Sequence, residues 1–76
     1  MWKEQVMQVL ERHFGTKKPI TETSHFIDDL DGDDFDIVDV TDQVCKKLEI
    51  TIPEEDTFNI ATVQDLLNEV EKNIVQ

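Results

Sequence analysis

Apolar residues near the N-terminus recur at helical spacing. Trp2, Val6, Val9, Leu10, His13 and Phe14 fall on one stripe, and Lys3, Glu4, Gln8, Glu11 and Arg12 lie mostly outside it. The pattern predicts a helix over Trp2–Phe14, stopped by Gly15. Residues 16–33 lose the periodicity and carry Pro19 with several Thr, Glu and Ser. Connections beyond ~12–15 residues are uncommon in compact domains, so Phe26, Ile27 and Leu30 are expected to pin this one onto the core.

Helical periodicity returns at residue 34. At about 100° per residue, Ile37, Val40, Thr41, Val44 and Leu48 share one face, opposite Asp36, Asp39, Asp42, Gln43, Lys46 and Lys47. A second helix over Asp34–Leu48 follows, with Asp33 or Asp34 as N-cap. Acids crowd its first turns and lysines its last, matching the helix dipole. Phe35 breaks the pattern by projecting among the polar residues. Two readings stay open for it: an anchor for a partner, or a ring folded over the helix end onto the preceding loop.

The segment Glu49-Ile50-Thr51-Ile52-Pro53 alternates too briefly to make a sheet. Pro53-Glu54-Glu55-Asp56 signals a short third helix near residues 54–58. Thr62, with Asp65 three residues on, forms a short-armed capping box. Val63, Leu66, Leu67, Val70 and Ile74 supply the stripe of the helix that follows. Three longer helices and one short one, each with one apolar face, predict an all-α small bundle. No repeat or internal boundary divides it, so residues 1–76 are expected to form a single domain.

Charge narrows the functions open to such a bundle. Eighteen acids against seven Lys and Arg give a net charge of −11. Nucleic acid and anionic membranes both demand the opposite sign. Basic protein partners, reached by electrostatic steering, suit it. No apolar run nears the ~20 residues of a membrane span, and the N-terminus lacks the layout of a signal peptide. Cys45 is the only cysteine, which excludes an internal disulfide and fits a reducing compartment. The expectation is a cytoplasmic monomer with no membrane insertion.

Candidate chemistry is sparse. His13 lies at a helix end without a nucleophile in reach, and is expected to answer the helix dipole rather than act as a base. His25 is read as structural or surface, and Cys45 as a small, partly buried apolar residue. Asp29, Asp31 and Asp33 have the alternation of a calcium loop, but Gly32 falls at the fourth position instead of the sixth and Val40 occupies the twelfth. No metal site, acid–base pair or activated nucleophile is assigned, and the chain is not expected to be an enzyme.

The segment Asp28-Asp29-Leu30-Asp31-Gly32-Asp33-Asp34-Phe35-Asp36-Ile37-Val38-Asp39 resembles the attachment segment of acyl carrier proteins. Phe26-Ile27-Asp28-Asp29-Leu30 looks like that family's Phe-x-x-Asp-Leu lead-in. Ile50-Thr51-Ile52-Pro53-Glu54-Glu55-Asp56 is similar to its Ile-x-Ile-Pro-acidic segment. Thr62-Val63-Gln64-Asp65 resembles its Thr-Val-Gln-Asp helix opening. All four stand in register without a gap from Phe26 to about Val70. The resemblance implies an acyl-carrier-like helical bundle, with 4'-phosphopantetheine as the family cofactor.

Where the family's middle reads Asp-Ser-Leu, this chain reads Asp33-Asp34-Phe35. The resemblance thus puts Asp34 at the position of the phosphopantetheine serine. It matches Asp36 and Asp39 to acidic positions that meet basic surfaces of carrier-protein-dependent enzymes, Asp33 and Phe35 to the residues flanking the serine, and Asp42 to a position where many members have an apolar partner contact, so all five are expected at the partner surface. Lys46 falls where the family usually has an acid. Loading the arm needs a hydroxyl to attack the pyrophosphate of coenzyme A. A carboxylate is a poor nucleophile, and its product would be a labile acyl phosphate. Surrounding acids also repel the incoming phosphates, by about 4 kcal/mol for unit charges ~4 Å apart at an effective dielectric near 20. Ser24 is the only serine and there is no tyrosine. The expected function is a carrier homologue with a variant attachment site, not phosphopantetheinylated, acting as a protein-binding module. The alternative is a genuine acyl carrier of fatty-acid or polyketide-type synthesis whose serine has been replaced.

Overall fold

A computed structural model describes residues 1–74. It contains four helices, α1 (Trp2–Phe14), α2 (Asp34–Leu48), α3 (Glu54–Thr57) and α4 (Val63–Ile74). The architecture is the all-α small bundle that the periodicity predicts, and α3 ends one residue earlier than the sequence pattern predicts. Val6, Val9 and Leu10 from α1, Ile37, Val40 and Val44 from α2, and Val63, Leu66, Leu67 and Val70 from α4 meet in one core. Phe26, Ile52 and Ile60 reach it from the connections. No helix among the described residues is long and apolar enough to cross a membrane.

The long connection is held by both side chains and main chain. Phe26 is fully buried and Leu30 half-buried, but Ile27 is 43% exposed and does not pin the loop as its hydrophobicity suggests. The reason is a tight turn: the Asp29 and Leu30 amides both donate to the His25 carbonyl. That curl places residues 26 and 30 on one side and turns residue 27 outward. Farther along, Phe26 donates to the Ala61 carbonyl, and Val63 and Gln64 donate to the carbonyls of Ser24 and Glu22. The loop therefore satisfies two of the orphan amides at the start of α4.

The helix ends are closed locally. Gly15 adopts φ 84° after α1 and its amide reaches the Glu11 carbonyl at 2.8 Å, a conformation that favours glycine. At α4, the Thr62 hydroxyl accepts from the Asp65 amide, and Asp65 Oδ2 accepts from the Ala61 and Thr62 amides. The capping box expected from sequence is present, and these donors, the Ala61 amide foremost, hold the Asp65 carboxyl below the usual carboxylate range. Gly32 packs the loop against the end of α1. A Cβ there would stand 2.9 Å from the Phe14 ring and 3.0 Å from the Phe26 carbonyl oxygen.

Candidate functional site

The start of α2 is built by a second capping box. Asp33 Oδ1 accepts from the Asp36 amide at 3.0 Å, and Asp36 Oδ2 accepts from the Asp33 amide at 2.9 Å. This resolves the N-cap as Asp33 and makes Asp34 the first helical residue, with an exposed carboxylate. No hydrogen bond or ion pair engages that carboxylate among the described residues.

Asp36 behaves differently from its neighbours. Its other oxygen, Oδ1, accepts from His13 Nε2 at 2.8 Å, across 23 positions of sequence. His13 Nδ1 in turn accepts from Gln43 Nε2 at 3.4 Å. The arrangement fits an imidazole with its proton on Nε2. It joins the C-terminal end of α1 to α2. His13 thus has a specific partner, where the sequence offered only the helix dipole. The His13 hydrogen bond, then the Asp33 amide, hold the Asp36 carboxyl below its ordinary range.

The remaining acids of α2 are more open. Asp39 is exposed and unpaired among the described residues. Asp42 pairs with Lys46 one turn on, at 3.2 Å. Phe35 is 84% exposed, so its ring points outward and does not fold onto the preceding loop. Asp33, Asp34, Phe35, Asp36, Asp39 and Asp42 all lie within residues 33–42, but only Asp34, Phe35 and Asp39 project freely.

The acids whose spacing suggested a calcium loop are drawn apart. Asp29 Oδ2 accepts from the His25 amide, Asp31 pairs with Lys18 at 3.0 Å, and Asp33 caps α2. His25 is structural: its Nδ1 accepts from the Ile27 and Asp28 amides. Burial pushes the Cys45 thiol up, which suits an apolar packing residue better than a nucleophile.

Beside Asp34 a groove of about 160 Å³ opens between α2 and α3. Ile37 and Ile60 form its buried floor, and Val38, Thr57 and Phe58 complete the walls. Phe58 is 74% exposed and Val38 is 45% exposed. Sequence reasoning missed both. The available signal was an aromatic placed directly after a one-turn acidic helix, with no periodic partner to bury it. Hydroxyls offer little near this groove: Thr57 is buried, Thr41 is buried on the core side, and the Ser24 hydroxyl accepts from the Thr21 amide.

Comparison with known proteins agrees with this geometry. The family model described as "Phosphopantetheine attachment site" matches residues 4–70. Acyl carrier proteins from Brachyspira hyodysenteriae are 39% identical over 57 residues, covering 75% of this chain and 73% of theirs. A solved Mycobacterium tuberculosis chain assigned as an acyl carrier protein superposes with a TM-score of 0.86 at 25% identity, covering 95% of this chain and 97% of that one. With its helices, its α2 opening and its sequence all in agreement, the chain belongs to the acyl carrier protein family.

Proposed function

We propose that this chain is a carrier-fold protein-binding module whose attachment position is closed to 4'-phosphopantetheine. The observation that carries the reading is Asp34 itself: a free, exposed carboxylate as the first residue of α2. A phosphodiester tether needs a hydroxyl there. The carboxylate instead favours the helix N-terminus electrostatically. The fold therefore gains nothing from a serine, and the tether loses its atom. Residues 1–76 act as one monomeric domain in the cytoplasm.

Partners dock through α2, by basic surfaces complementary to Asp34, Asp39 and the outward Phe35. Asp36 contributes a fixed charge and the shape of the helix start, because both its oxygens are already engaged. Asp42 contributes less, because Lys46 offsets its charge. Charge of this kind governs the rate of encounter and its salt dependence more than final affinity.

Intact-mass measurement tests the closed site. Incubated with coenzyme A and a broad-specificity phosphopantetheinyl transferase, the protein is expected to keep its mass. An adduct would overturn the reading. The Asp34→Ser variant is expected to gain the arm, since only the hydroxyl is missing. An unmodified Asp34→Ser chain would mean that the transferase is also excluded by the altered surface around Phe35.

A further inference from the structure

We infer that the groove between α2 and α3 is a socket for a single arginine side chain of a partner protein. The inference deepens the binding-module reading and rests on it. Three features of the groove select this occupant. Its volume of about 160 Å³ is well below the ~300–1,000 Å³ that drug-sized ligands fill, so it suits one side chain. Its floor and walls are apolar, through Ile37, Val38, Phe58 and Ile60, and match an aliphatic stem. Its rim carries the unpaired Asp34 carboxylate, which supplies charge for the head.

Arginine fits better than lysine for two reasons. A planar guanidinium stacks on an aromatic face, and Phe58 presents an exposed one in the same groove. A guanidinium also meets a carboxylate through two parallel N–H···O bonds, whereas an ammonium meets it as a point charge. The wider field supports a cation and opposes an anion. Asp33, Asp39, Glu54 and Glu55 are all exposed around α2 and α3 in a chain of net charge −11.

The test uses three capped tripeptides, Ala-Arg-Ala, Ala-Lys-Ala and Ala-norleucine-Ala, titrated at low salt into the full chain and followed by backbone and methyl NMR. The arginine peptide is expected to shift resonances of Ile37, Val38, Phe58 and Ile60, and to bind more tightly than either counterpart. Asp34→Asn and Phe58→Ala are each expected to weaken it by about two- to fivefold, the scale of an exposed ion pair, and Asp39→Asn to leave it nearly unchanged. Both altered side chains are exposed, so the fold should persist. Equal binding of the norleucine peptide would overturn the socket, as would shifts spread evenly over the acids of α2 and indifferent to Asp34→Asn. The outcome is separable from the mass measurement. A phosphopantetheine adduct overturns the binding-module reading whatever the peptides do. Loss of the arginine preference overturns the socket and leaves an unmodified mass untouched.

Discussion

Asp36 shows how one carboxylate can look like a docking residue and act as a joint. In sequence it is one of several acids on the polar face of α2. In the fold its two oxygens serve the Asp33 amide and His13 Nε2. Its local half was legible, because a cap and its N3 partner stand three residues apart. The His13 contact was not, because 23 positions separate the pair and no periodicity links them. The two roles separate experimentally. Asp36→Asn should destabilise the fold by ~0.5–2 kcal/mol, the range for a lost cap interaction, whereas Asp39→Asn should stay within about ±0.5 kcal/mol. Chemical denaturation of both variants checks this. A pH series adds a second readout. The Asp36 carboxyl is held low in the folded state, so the folded chain binds fewer protons than the unfolded one in acid. Its stabilisation is complete above the unfolded value, near pH ~4, and is lost as pH falls through the folded value. Asp36→Asn should flatten that acid limb, leaving the share of Asp65, which is also held low.

At the scale of elements, the helices were legible and the loop was only partly so. Periodicity located α1, α2 and α4 because each buries one stripe. Hydrophobicity alone misassigned Ile27, because the turn at His25 decides which side chains point inward. Gly32 was missed as a packing residue, since nothing local marks a glycine for the space it leaves. The connection should nevertheless be a major source of stability. Phe26→Ala removes a fully buried ring and should cost ~3–5 kcal/mol, comparable to the low end of total domain stability at ~5 kcal/mol. Gly32→Ala should cost ~1–3 kcal/mol through overlap with Phe14 and the Phe26 carbonyl. Thermal unfolding of both variants tests the ranking. A Gly32→Ala protein as stable as the parent would mean that the loop gives way easily at this point.

The whole molecule carries its charge unevenly. Asp33, Asp34 and Asp39 gather at the start of α2, with Glu54 and Glu55 on α3. Arg12, Lys46 and Lys47 line a separate groove between α1 and α2. Even so, −11 on 76 residues leaves a net self-repulsion that folding must overcome, because compaction brings like charges closer. Attractive pairs oppose this, but Lys18–Asp31 and Lys46–Asp42 are surface contacts, and such pairs contribute ~0–1 kcal/mol each; Lys72–Glu69 joins an exposed lysine to a mostly buried carboxylate. Repulsion among many unpaired acids should therefore outweigh attraction among a few exposed pairs. Salt decides between them. Raising ionic strength from ~0.01 M to ~0.15 M shortens the Debye length from ~30 Å to ~8 Å, which screens the distributed repulsion more than the contacts at 3–4 Å. The melting temperature at neutral pH should rise with sodium chloride across this range. The same salt should slow association with any basic partner, since steering weakens as the fold strengthens. A melting temperature that falls with salt would assign the balance to the ion pairs, with the His13–Asp36 joint as the first to remove.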